Sequence, residues 1–192
     1  MLEAYGCLAL EVFPADDEGS CTGPPIIEEW DVVEDDEAQE YTQTVYGGLG
    51  RQLEITYLVI PSAIEIHVEV KLNLKDLGSR SRTVYGSIKA RAIDYGSKSV
   101  HLFSCERGRS LSFPCGSTCI LSLSPFVIAL PPRRPFKLQI EVDLRVITTC
   151  ESQEEDKKLK FCLDFTRRIT SQEREVDGDQ VEVNTTWYLE RR

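Results

Sequence analysis

Hydrophobic and polar residues alternate one by one along most of this chain. The clearest case is 136–147, where Leu138, Ile140, Val142, Leu144 and Val146 alternate with Lys137, Gln139, Glu141, Asp143 and Arg145. A period of two marks a strand with one dry and one wet face. The same rhythm places Ile64, Ile66, Val68, Val70 and Leu72 against Glu65, His67, Glu69 and Lys71. It recurs at 159–169, with Leu159, Phe161, Leu163 and Phe165 on one side. It closes the chain at 181–189, with Val181, Val183, Thr185, Trp187 and Leu189.

Further strands are predicted at 4–13, with Leu8, Leu10 and Val12 as the dry side, at 51–60 with Leu53, Ile55 and Tyr57, and at 84–93 and 99–103. Gly86 inside a strand points to a bulge or a close backbone approach. Two apolar runs, Cys119–Leu123 and Phe126–Leu130, are split by Ser124-Pro125. Polar stretches at 73–83, 148–158 and 170–180 read as loops, the last with an Asp177-Gly178-Asp179 turn signal. Tyr95-Gly96-Ser97 reads as a turn and 131–135 as a stiff connector. No segment sustains a 3.6-residue period. Nine or ten half-wet strands joined by polar turns predict an all-β protein, an antiparallel two-sheet β-sandwich with a long acidic N-terminal loop. The expected organisation is an N-terminal strand at 1–13, an acidic flexible segment at 14–40 and a β-sandwich domain at 41–192.

Charge sharpens this division. Residues 1–50 hold 13 acidic residues and no Lys or Arg, whereas 51–192 hold all 22 basic residues against 19 acidic ones. The acidity therefore belongs to the N-terminal quarter, and segment 14–40 is too polar to offset its ordering entropy by burial. Trp30-Asp-Val-Val is the exception, able to dock on a sheet edge. Nucleic acid is a poor partner, because phosphate contacts need a concentrated basic face. The chain carries no apolar run of transmembrane length and opens without the basic start and apolar run of a signal peptide. The expectation is a cytoplasmic protein with seven reduced cysteines.

Candidate chemistry is sparse. Cys115-Gly-Ser-Thr-Cys119 has half the ligands of a zinc site, and no second pair stands at ligand spacing. A disulfide between the two and ordinary thiols are the other readings. His67 and His101 both fall in predicted strands, and the alternation makes His67 a solvated strand residue rather than a base. Neither a nucleophile elbow nor a phosphate-binding glycine loop occurs. Asp16, Asp17, Glu18, Asp35, Asp36, Asp177 and Asp179 are oxygen donors of the type calcium takes, at no diagnostic spacing. Asn184-Thr185-Thr186 fits a glycosylation sequon but falls mid-strand. Arg133-Arg134, Lys157-Lys158, Arg167-Arg168 and Arg191-Arg192 are basic doublets suited to solubility or to holding the acidic segment. The expectation is no catalytic, metal or cofactor site.

Six stretches carry a family resemblance: Leu-Glu-Ile-Thr at 53–56, Ser-Ala-Ile-Glu-Ile-His-Val-Glu-Val-Lys at 62–71, Val-Tyr-Gly-Ser-Ile-Lys-Ala at 84–90, Leu-Ser-Leu-Ser-Pro-Phe-Val-Ile-Ala-Leu-Pro at 121–131, Phe-Lys-Leu-Gln-Ile-Glu-Val-Asp-Leu-Arg-Val at 136–146, and Val-Glu-Val-Asn-Thr-Thr-Trp-Tyr-Leu at 181–189. Together they resemble a grass-enriched plant domain of unknown function, found alone or fused behind ribosome-inactivating domains in jasmonate-induced cereal proteins. The resemblance implies a plant protein linked to stress or defence and brings no catalytic residue with it. The resemblance implies a front portion before the equivalent of 1–13, so the expectation is a shortened member or an incomplete reading frame, either of which would leave a sheet edge bare. The resulting expectation is a non-catalytic interaction or accessory module with an unknown protein partner. The alternatives are association with ribosomal RNA N-glycosylase activity and calcium-dependent lipid or sugar binding by sandwich-end loops.

Overall fold

The computed structural model describes residues 7–12, 26–31, 39–46, 52–60, 63–76, 81–93, 99–130, 137–150 and 153–188. These form strands almost throughout, with one 3₁₀ turn at Arg107–Arg109 and no α-helix among the described residues. By contact the chain divides into two compact units, Met1–Ala63 and Ile64–Arg192. The boundary differs from the one drawn at residue 40 from composition.

The first unit holds two antiparallel ribbons. β1 (Cys7–Val12) pairs with β2 (Ile26–Asp31), Cys7 opposite Asp31 and Val12 opposite Ile26. β2 corrects the expectation that 14–40 is a continuous loop. Glu28-Glu29 breaks any apolar alternation, so the strand is specified by its backbone pairing with β1 rather than by pattern. The acidic runs of that segment, Asp16 to Glu18 and Glu34 to Glu37, lie outside the described residues. β3 (Gln39–Tyr46) pairs with β4 (Gln52–Val59). Tyr41 stands opposite Tyr57 with ring centroids 5.7 Å apart, and the Thr42 and Thr56 hydroxyls lie 3.2 Å apart. Such cross-strand pairs hold a ribbon in register.

The second unit is a sandwich of two antiparallel sheets. One runs β10-β5-β14-β13, with β9 also on β5, and the other runs β12-β11-β6-β7, with β8 also on β6. The strands are β5 (Ile64–Asn73), β6 (Ser81–Ala92), β7 (Val100–Cys105), β8 (Leu111–Pro114), β9 (Thr118–Leu121), β10 (Val127–Leu130), β11 (Leu138–Cys150), β12 (Gln153–Phe165), β13 (Ser171–Val176) and β14 (Asp179–Tyr188). Every inward position read from the alternation in β5 and β11 is buried. Their side chains join Val84, Ile88, Leu102, Leu159, Leu163, Phe165, Val181 and Val183 in one core shared by both sheets.

Each sheet has an edge strand interrupted once. β9 pairs with β5 over Val70–Asn73 and β10 pairs with it over Ile64–His67. Residues 122–126 leave the sheet between them and return with Val68 N donating to Phe126 O at 2.8 Å. The Ser124–Pro125 peptide bond in this excursion is cis. β7 and β8 flank β6 in the same manner.

Three stretches read as loops from polarity are partly strand, and β3 and β8 fall where the pattern predicts no strand. β6 starts at Ser81, β8 occupies 111–114, β11 and β12 approach to leave only 151–152 between them, and β13 takes 171–176. These are outer strands, hairpin arms and, in β6, the end of an inner strand, held by backbone hydrogen bonds, with little apolar burial to mark them. In β13 (Ser-Gln-Glu-Arg-Glu-Val) no residue is fully buried. The turn expected at Tyr95-Gly96-Ser97 and the connector at 131–135 lie outside the described residues.

Gly86 fulfils its expected role. Its φ is +125°, and a Cβ there would overlap the carbonyl oxygen of Asp143 and sit 2.9 Å from Leu144 Cα. β6 and β11 thus approach where only glycine fits. The β6–β7 register also shifts between Ile88 and Lys89.

Candidate functional site

Two arrangements stand out from the apolar core. The first is a buried ionic cluster at one end of the sandwich. The dry face of β14 continues from Val183 and Val181 to Asp179, that of β6 from Val84 to Arg82, that of β11 from Val146 to Thr148, and that of β12 from Leu159 to Lys157. Four polar residues therefore take inward positions at the ends of four strands.

Arg82 Nη1 and Nη2 donate to Asp179 Oδ1 and Oδ2 at 2.5 and 3.1 Å, and Arg82 Nε donates to Thr148 Oγ1 at 2.7 Å. Lys157 Nζ donates to Asp179 Oδ2 at 2.8 Å and to Val176 O at 2.5 Å, while Lys75 N donates to Asp179 Oδ1 at 2.8 Å. Asp179 is 0% exposed and Arg82 3%. Burial pushes the Asp179 carboxyl up, but hydrogen bonds from Arg82, Lys157 and the Lys75 amide outweigh it and hold the group below its ordinary range. The recess here is about 450 Å³ and is lined by Lys75, Arg82, Thr148, Asp156, Lys157, Asp177 and Asp179.

The cluster ties the two sheets together, since Asp179 belongs to one and Arg82 and Lys157 to the other. It does not offer a calcium ligand set: Asp179 already accepts four hydrogen bonds, two from a guanidinium and one from an ammonium. Asp177 is a turn residue. With φ +49° at Asp177 and +86° at Gly178, it forms the two-residue hairpin that the Asp-Gly signal predicts.

The second arrangement lies on the outer face of the β5–β14 sheet. His67 projects from the middle of β5, half-buried, with the Tyr188 ring 4.5 Å away (54° tilt) and the Phe126 ring 5.6 Å away (78°, edge-on). His67 Nε2 lies 3.1 Å from Glu65 Oε1. Tyr188 comes from the end of β14 and Phe126 from the 122–126 excursion. Both are exposed, at 49% and 54%, as is neighbouring Ile120 at 61%. Together with Glu69, Ser122, Leu123, Asn184 and Thr186 they surround a cleft of about 520 Å³.

The charges beside this cleft are satisfied within the sheet. Lys71 Nζ lies 3.1 Å from Glu69 Oε1 and 3.6 Å from Glu182 Oε1, and Asn184 Nδ2 donates to Glu182 Oε1 at 2.7 Å. The hydrogen bond to Glu69, reinforced by Glu182, raises the Lys71 pKa above its ordinary value.

The other sequence candidates scatter. His101 is exposed on β7. Cys105, Cys115, Cys119 and Cys162 are thiols, so no disulfide joins Cys115 to Cys119. No group of three or more His, Cys, Asp or Glu is placed to hold a metal ion among the described residues. The sequon residue Asn184 is half-buried on β14, between inward-facing Val183 and Thr185. Lys157 and Lys158 part to opposite faces, Lys157 to Asp179 and Lys158 to within 3.9 Å of Asp143. Arg167 and Arg168 are exposed after β12, and the other two doublets lie outside the described residues.

Pattern reading placed His67 outward but missed the two rings that flank it. Tyr188 was legible as the outward neighbour of Trp187, whereas Phe126 reaches the site only through the excursion between β9 and β10. The buried cluster was not legible, because Arg82, Thr148, Lys157 and Asp179 all fall in polar stretches read as loops, and their inward parity shows only once the strands are seen to extend through them.

No helix among the described residues is long and apolar enough to cross a membrane. No curated protein and no solved structure is significantly similar to the chain. Residues 26–186 match the model of a domain of unknown function, DUF6598, and the chain therefore belongs to that family.

Proposed function

We propose that this protein is a non-catalytic interaction module that binds another macromolecule through the outer face of the β5–β14 sheet. One observation carries the reading: Phe126, Tyr188 and Ile120, all largely exposed, gather around His67 over a cleft of about 520 Å³. Exposed apolar clusters rimmed by polar groups mark binding surfaces. The titratable groups of this face are engaged with one another, Lys71 with Glu69 and Glu182 and His67 with Glu65.

The resemblance read from the sequence extends this proposal to a plant protein of the cytoplasm, accessory to stress or defence responses and related to domains fused behind ribosome-inactivating ones. Affinity capture by the full chain and by its Phe126→Ala/Tyr188→Ala variant tests the reading. Loss of the captured molecule in the variant is expected, and identical capture by both would remove this face as the binding surface. Incubating the pure chain with ribosomes tests the enzymatic alternative, since release of adenine would replace the present reading with an N-glycosylase one.

A further inference from the structure

We infer that the cleft around His67 takes a neutral oligosaccharide, a proposal that rests on this face being the binding surface. Three features of the cleft select the ligand class. First, β5 is hydrogen-bonded on both edges, to β14 on one side and to β9 and β10 on the other. An incoming peptide cannot add a strand here, so recognition falls to side chains projecting from the outer face. Second, Glu69 and Glu182 share the single ammonium of Lys71, so the face repels an anionic ligand and a cationic one would have to displace Lys71, while a neutral ligand disturbs neither carboxylate.

Third, the lining combines exposed rings with neutral hydrogen-bonding groups. Phe126 and Tyr188 present aromatic surface on either side of His67. The C–H faces of a sugar ring pack on such surfaces through burial and weak C–H contacts. Ser122, Thr186 and the Tyr188 hydroxyl make no side-chain hydrogen bond among the described residues. Asn184 commits one N–H to Glu182 and keeps its carbonyl oxygen and second N–H. Adjacent donors and acceptors of this kind match the hydroxyls along a sugar's edge. A purely apolar ligand would leave them unpaired.

The cleft volume lies within the roughly 300–1,000 Å³ range of small-ligand sites. The excursion that carries Phe126 is anchored at two points, Phe126 O to Val68 N at 2.8 Å and Ser124 N to Leu102 O at 2.7 Å. The backbone that carries the ring is therefore fixed before a ligand arrives, which lowers the ordering cost of binding.

The test is calorimetric titration of the full chain with three uncharged probes, cellohexaose, xylohexaose and mannohexaose. The variants Phe126→Ala, Tyr188→Ala and Thr186→Ala are titrated in parallel, with circular dichroism confirming that each keeps its β spectrum. Binding of at least one probe is expected, weakened about tenfold or more by each aromatic replacement and less by Thr186→Ala. Binding that all three variants retain would place the sugar elsewhere and overturn the inference. If no probe binds, the sugar proposal falls. Should the chain then still capture a protein in a Phe126- and Tyr188-dependent way, the interaction-module reading survives alone; otherwise both fall.

Discussion

Arg82 and Asp179, 97 residues apart in sequence, meet in a two-point ion pair at 2.5 and 3.1 Å with almost no exposure to solvent. The pair spans the two sheets and draws in Lys157, Thr148 and the Lys75 amide. Taking charges out of water is costly, and such a pair is sensitive to the loss of either member.

Replacing Asp179 with Ala leaves the Arg82 guanidinium buried without its counter-ion. The expected loss is about 3–5 kcal/mol of unfolding free energy, measured by urea denaturation. A double replacement with apolar residues, Arg82→Met/Asp179→Leu, is expected to recover most of that loss. No recovery would show that the pair is worth more than an apolar contact of equal volume.

Acid should unfold the protein through the same residue. The folded-state pKa of Asp179 is lowered, so its contribution is complete above the unfolded value of about 3.9 and declines as pH falls from there through the folded value. Asp179→Asn should therefore flatten the stability curve below about pH 4. The Asp143 carboxyl is likewise lowered, first by its hydrogen bond from Lys160 at 2.7 Å. That pair is largely solvated, and its share is expected to be small. An unchanged acid limb in Asp179→Asn would contradict the assignment.

Gly86→Ala tests the close approach of β6 to β11. The added methyl meets the Asp143 carbonyl at a φ of +125°, and the combined overlap and strain should cost about 2–4 kcal/mol. Gly108 has open space around its Cβ direction. Gly108→Ala should stay within about 0.5 kcal/mol, as exposed substitutions do. Thermal melts of both variants make the comparison.

Tyr85 donates to Asp156 Oδ2 at 2.5 Å, and this hydrogen bond, aided by burial, raises the phenol pKa above its ordinary value. An ultraviolet titration should show one tyrosine ionising late. Asp156→Asn should return it toward the ordinary range, and an unshifted titration would exclude the hydrogen bond in solution.

Phe126→Ala and Tyr188→Ala should leave stability almost unchanged while weakening binding about tenfold or more. Both rings are about half-exposed, so truncation sacrifices little buried area. A melting transition lowered by either change as far as by Asp179→Ala would mean that the rings are structural.

Alternation alone determined the sandwich. Leu138 to Val146 and Ile64 to Leu72 could bury one face only as strands, because a period of two keeps apolar side chains on one side of an extended chain. It also fixed the outward place of His67, and the Asp-Gly pair marked the turn at Asp177-Gly178. Alternation missed Ile26–Asp31, Gln39–Tyr46, Leu111–Pro114 and Ser171–Val176; the first and last owe their form to the backbone of a partner strand, and nothing in their side chains announces that pairing. Which residues meet was likewise left to the tertiary structure. Arg82, Thr148, Lys157 and Asp179 each extend a dry face by one step, but only the stacking of two sheets brings those four strand ends together. Phe126 reaches His67 because residues 122–126 leave the sheet edge between two halves of one broken strand. Such meetings depend on strand order and register, which link residues far apart along the chain, whereas pattern reports only what adjacent residues share.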